Sequence, residues 1–188
     1  ADALIERFPE AVETQPELMA HHLLQAGLTE RAIEYLQKAG RRAIEHSANA
    51  EAIRHLTSAI ESLRSLPETP ERKRAALESE VMLGQAMIAD RGYAAPATKE
   101  TLLRAKMLID DLTNPSQKFA ILYGVWASHY VGGEIAKQRD AAAELLAEAE
   151  RHEDTAALCI AQAAEAIKHA EELSHPHTLV YTICHARG

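Results

Sequence analysis

Three glycines, Gly40, Gly84 and Gly124, interrupt stretches that otherwise read as helix, and each is followed at a regular distance by small residues. Gly40 precedes Ala52 and Ala59 at +12 and +19. Gly124 precedes Ala136 and Ala143 at the same spacings. Gly84 precedes Thr98 and Ala105 at +14 and +21, as expected if "YAAP" adds two residues to the turn. The glycines are 44 and 40 residues apart. A mid-helix glycine costs about 1 kcal/mol relative to alanine, so a repeated one implies a packing rule. The spacing predicts paired helices that cross closely, the glycine on the first and the small residues on the second.

The rest of the chain agrees with helices throughout. Apolar residues recur at three and four, as in Ala32, Ile33, Leu36, Ala39, Ala43 and Ile44, and again in Ala52, Ile53, Leu56, Ala59, Ile60 and Leu63. No stretch alternates as a strand does. Hydrophobic residues make up 47% of the 188 residues but aromatics only 4%, so the core must be built from Ala, Leu and Ile. Turn signals place helices at about 17–26, 29–46, 50–66, 70–91, 96–111, 116–131, 134–151 and onward to 173, with a last short one near Pro176. Thr29 is expected to cap the second of these, Thr69-Pro70 is a favourable cap and first turn for the fourth, and Asn114-Pro115 is a break. Connections this short make neighbouring helices antiparallel. The fold class is all-α.

The small residue in one helix followed by Ala and Ala in the next resembles the tetratricopeptide pattern. "EAIRHLTSAIESL" fits its second helix, with Ala52 and Ala59 on the small positions and Leu56 on the bulky one between. Gly40 takes the small position of the first helix, and Ala32, Leu36 and Ala39 fit the second helix of a pair with 17–26. The resemblance implies a right-handed α-solenoid of antiparallel helix pairs with an irregular 40–44 residue period. "FPEAVETQPELMAHHLLQAGLTERAIEYLQKAGRRAIEHSANAEAIRHL", with "LPETPER" and "GYAAP", is similar to the C-terminal helical region of bacterial signalling proteins that join an adenylate/guanylate cyclase domain to an AAA/STAND ATPase. That likeness covers residues 8–151 and 163–181. It implies that 1–16 lead in from an upstream ATPase domain and that 17–188 are the repeat domain. Near 162/163 either a segment of the family's length is missing, or one helix runs through from 155 to 173.

Residues that could carry chemistry are few. There is no GxxxxGK[ST] loop and no cyclase metal-aspartate motif, so no catalytic residue and no cofactor site is expected. His21 and His22 are adjacent and diverge by about 100° on a helix. His175, His177, Cys184 and His185 are potential zinc ligands without a compact spacing. Neither set is assigned a metal. Glu78 and Glu80, two apart, face different ways, and Asp110-Asp111 sits at a helix end. Trp126 and Tyr130 are either core residues or the aromatics of a groove. Arg41-Arg42 and Arg72-Lys73-Arg74 read as solvated helix faces.

A formal net charge of -8 opposes binding to nucleic acid. No apolar run approaches membrane-spanning length, and two cysteines without a framework favour a reducing, cytoplasmic setting. The chain is expected to be a non-catalytic scaffold for a protein or peptide, or for upstream domains of its own chain. A metabolite sensor is the alternative, an independent enzyme comes third, and an uncapped end repeat would favour a homodimer.

Overall fold

The computed structural model describes residues 15–110, 113–152, 158, 160–162 and 164. Seven helices are bounded among them: α1 (Pro16–Gln25), α2 (Thr29–Glu45), α3 (Asn49–Arg64), α4 (Pro70–Arg91), α5 (Pro96–Leu108), α6 (Pro115–Val131) and α7 (Ile135–His152). They belong to two compact units, one ending at Leu108 and the other beginning at Ile109. The expected lead-in before residue 15, the final short helix and the discontinuity near 162/163 lie largely outside the described residues.

Side-chain caps start two of the helices. The Thr69 hydroxyl accepts the Arg72 N–H at 3.1 Å, and the Asn114 carboxamide oxygen accepts the N–H of Ser116 at 2.9 Å, with proline at the first helical position in both. Thr29 does not cap α2. Leu28 occupies that position and Thr29 is the first helical residue. The cause lies in how α1 stops. Gly27 at φ +73° lets its own N–H reach the Leu24 carbonyl and the Leu28 N–H reach the Leu23 carbonyl at 2.9 Å, a Schellman closure, so α2 follows at once. The same closure recurs at Ser47, where Ala48 bonds to Ala43, and at Gly133, where Glu134 bonds to His129. Asn49 therefore opens α3 instead of lying in the turn. α5 ends at Leu108, short of Asp111, and Asp110 instead bonds to the Thr113 hydroxyl in a local turn.

In the first unit each helix packs on the next, α1 through α5, with a lighter contact between α2 and α4. This is a repeating, solenoid-like all-α arrangement. Ala20, Leu36 and Ala59 join α1, α2 and α3. Ala43, Ala52, Leu56, Ile60, Met82, Leu83, Ala86 and Met87 make the core of α2, α3 and α4. Every small position expected here is buried: Ala32, Ala39, Gly40, Ala52, Ala59, Gly84, Thr98 and Ala105, as are Leu36 and Leu56. At Gly40 the approach is tightest, since a Cβ there would stand 2.6 Å from Leu56 Cγ. At Gly84 the corresponding contact, to Leu102, is an ordinary 3.4 Å.

In the second unit the expected register fails. Gly124 is buried, but Ala136 and Ala143 lie on the exposed face of α7. The buried face carries Gln138, Ala142, Leu145 and Ala149. Gln138 and Leu145 stand at +14 and +21 from Gly124, the spacing that relates Thr98 and Ala105 to Gly84. Ten residues separate Gly124 from the first residue of α7, against eight between Gly40 and α3. Those two extra residues move the inward positions from +12 to +14.

The two glycines should therefore respond oppositely to alanine. Gly40→Ala forces a methyl into Leu56, an overpacking cost of about 1–3 kcal/mol that outweighs the roughly 1 kcal/mol gained in helix propensity. Gly84→Ala meets no such obstacle and should be neutral or stabilising by up to about 1 kcal/mol. Urea denaturation of both variants checks this, and a Gly40→Ala protein as stable as the parent contradicts the close crossing.

Candidate interaction cleft

The groups that could act chemically are scattered in the sequence and gathered by α4. Glu78 and Glu80 do face different ways: Glu78 meets Arg41 of α2, while Glu80 meets Arg104 of α5. Glu80 is 3% exposed. A buried carboxylate needs both a counter-charge and filled lone pairs. Arg104 supplies them with Nε to Oε1 at 2.7 Å and Nη2 to Oε2 at 3.1 Å, the parallel fork that guanidinium and carboxylate form best. Nη2 also donates to the Thr101 hydroxyl at 2.9 Å, and Nη1 meets Glu100 at 3.1 Å. The hydrogen bond to Glu80 holds the guanidinium pKa above its ordinary value, against the opposing pull of burial. Thr101, fully buried, donates onward to the Met87 sulfur at 3.4 Å.

Above this network α3 and α5 part, leaving a cleft of about 220 Å³ with α4 as its floor. Ile60, Leu83, Met87 and Ala97 make an apolar bed, and the lips carry Glu61 and Arg64 from α3 and Glu100 and Arg104 from α5. On each lip the lining residues recur at i, i+3, i+4 and i+7 (57, 60, 61, 64 and 97, 100, 101, 104), one face of a helix. Elsewhere α2 is stitched to α4 by the Gln37 amide, which donates to the Ala75 carbonyl and the Ser79 hydroxyl at 3.0 and 2.9 Å. Arg72 closes the end of α3 by donating to the Leu63 carbonyl at 2.7 Å. Arg41, Arg42 and Arg74 lie on exposed helix faces, Arg41 making an exposed ion pair with Glu78, while Arg72 is half-buried against the end of α3.

The expected groove aromatics are in the second unit and do not line this cleft. Trp126 is buried, with one ring face stacked on Tyr130 at 5.4 Å and 7° and Tyr123 beside it at 5.6 Å. Tyr130 is part exposed and acts as the lid of that stack. Glu148, also buried, is held between α6 and α7 by Lys118 at 3.0 Å, by His152 at 3.0 Å and by Arg151. Burial alone would raise its pKa, but the three cations together bring it below the ordinary value of 4.5. His21 and His22 lie edge to face at 5.8 Å, and His21 pairs with Gln25. Among the described residues no three or more His, Cys, Asp or Glu converge as metal ligands, and no helix is long and apolar enough to cross a membrane. His175, His177, Cys184 and His185 lie outside the described residues.

Removing either network has a defined consequence. Arg104→Met strands a buried carboxylate and should cost about 3 kcal/mol, while adding Glu80→Leu should restore part of it, because the uncompensated charge is the larger loss; a thermodynamic cycle measures the difference. For Glu148 the folded-state pKa is depressed, so its stabilisation is complete above about pH 4.5 and is lost as pH falls through the folded value. Glu148→Gln should therefore lower stability at pH 7, by about 1.5 kcal/mol for lost charged hydrogen bonds, and should flatten the acid limb of stability against pH. An unchanged acid limb would rule the clasp out.

No protein-family model matches the chain, and neither a curated protein nor a solved structure does, so the functional reading rests on the cleft and its neighbours.

Proposed function

We propose that this chain is a non-catalytic recognition module that holds a segment of a protein in the cleft between α3 and α5. The observation that carries this reading is the combination of an apolar floor with charged lips in a groove open along two helices. At about 220 Å³ the cleft falls below the roughly 300–1,000 Å³ typical of sites that enclose a whole small molecule. It suits one or two side chains of a longer partner, and this favours a peptide over a metabolite. The aromatic alternative for a sensor is weakened by the Tyr130 ring that covers Trp126. Arg104 is committed to Glu80, Glu100 and Thr101, which supports binding over acid–base chemistry at this place.

The finer reading is a right-handed tetratricopeptide-like solenoid serving as the regulatory tail of a cyclase/ATPase signalling protein in the cytoplasm. It is supported by the sequence resemblance over residues 8–151 and by the repeated small positions of the first unit. In that setting the partner is a separate protein or an upstream domain of the same chain. Self-association is a second reading, favoured by the exposed Leu18 and Leu24 of α1 and Leu28 just after it. Hydrogen exchange of the whole chain, alone and with peptides selected from a displayed random library, tests the main proposal. Slowed exchange in α3 and α5 is expected. A folded chain that selects no peptide, or peptides that protect only other helices, would sink it, and a mass of two chains in light scattering would favour the second reading.

A further inference from the structure

The charges of the cleft do not balance, and the imbalance points to the chemistry of the occupant. Three carboxylates, Glu61, Glu80 and Glu100, stand in or under it against two guanidiniums, Arg64 and Arg104. Arg104 is already spent: its fork is taken by Glu80 and its remaining edge by Glu100 and Thr101. Glu80 is buried beneath it and is not available to a ligand. What faces an incoming group is therefore the outer lips. Glu61 stands on one and Glu100 on the other, with Leu83 and Met87 between them as floor. Arg64 shares the Glu61 lip one helical turn closer to the end of α3, where a cation is favoured by the helix dipole in any case. One negative charge remains over the set.

We infer that the cleft takes a lysine or arginine side chain of a partner peptide, flanked by an apolar residue. The aliphatic stem lies on Leu83 and Met87, whose unbranched thioether adapts to either length. The cationic head sits between the Glu61 and Glu100 carboxylates, and the neighbouring apolar residue covers Ile60 and Ala97. A peptide with an acidic side chain in the same place would meet the Glu61 and Glu100 carboxylates, with Arg104 saturated and Arg64 the one lining guanidinium left to pair with it. The net charge of -8 on the chain draws the same class of partner by long-range attraction. This assignment rests on the peptide-docking reading above.

The test uses the full chain and 12-residue peptides selected from a random displayed library, each labelled for fluorescence anisotropy. Selected peptides should carry a basic residue beside an apolar one, and replacing that Lys or Arg by Met should weaken binding. Glu61→Gln with Glu100→Gln should weaken it about tenfold, the combined effect of two partly exposed ion pairs. Glu30→Gln with Glu34→Gln, a change of equal charge on the exposed face of α2, should leave it within about twofold, so general attraction to an acidic protein is separated from the site. Circular dichroism verifies that both double variants are folded. Peptides that protect α3 and α5 from exchange but lack a basic residue, or that respond equally to the two double variants, overturn the inference and leave the docking reading intact. No selected peptide at all removes both.

Discussion

The crossing of α2 over α3 at Gly40 and Leu56 is the contact on which the first unit depends. A Cβ on residue 40 would fall 2.6 Å from Leu56 Cγ, so even a methyl group there requires the Leu56 side chain to shift. Leu56 is fully buried and reaches the core shared with α4. Its position fixes where Met82, Leu83 and Ala86 can lie. With 4% aromatics in the chain, no large ring is at hand to fill a gap if the helices stood further apart. Close crossings are thus the means by which an alanine-rich interior reaches native packing density. A stack built this way gains stability mainly from each helix and its immediate neighbours.

That nearest-neighbour construction also explains why a cleft exists. α4 has α2, α3 and α5 to touch, and it meets them on different parts of its surface. Ser79 and Ala75 receive Gln37 of α2, Leu83 and Ala86 pack toward α3, and Glu80 and Gly84 face α5. Between the strips given to α3 and α5, Leu83 and Met87 form the floor of the opening. Glu80 has an ionic consequence there. Because Arg104 must satisfy a buried carboxylate, it is removed from the charges that an incoming group would meet. The character of the lips is then set by the outer residues, and the network below is a condition for that arrangement.

Much of the first unit was legible because its small residues are scarce enough to be informative. In α3, Ala52, Leu56 and Ala59 alternate with polar side chains, so the inward face is unambiguous. α7 is different: alanine appears at 136, 141, 142, 143, 147 and 149, on every side of the helix, and alanine alone no longer marks a face. The residue that reveals its register is Leu145, and the turn length before Ile135 says the same. Leu28 in place of Thr29 was missed for a related reason. A Schellman closure uses two residues of the turn, which side-chain capping preferences do not take into account.

The cleft itself was not legible, and the reason is chemical. Glu61, Arg64, Glu100 and Arg104 have the composition of any solvated helix face, and only a neighbouring helix distinguishes the two roles. One signal was available. Leu77, Glu80, Gly84 and Met87 fall at spacings of three, four and three along α4, so Glu80 occupies an inward position in an otherwise apolar stripe. A carboxylate there cannot remain charged without a partner from another helix. The nearest cation in the paired second helix that is itself supported by a glutamate four residues earlier is Arg104, with Glu100 behind it. Reading a charged residue as an inconsistency in a buried stripe, and then asking which cation can resolve it, leads from α4 to α5 and to the lip of the cleft. Apolar periodicity identifies which helices pack; the unresolved charge within it identifies where their separation has been put to use.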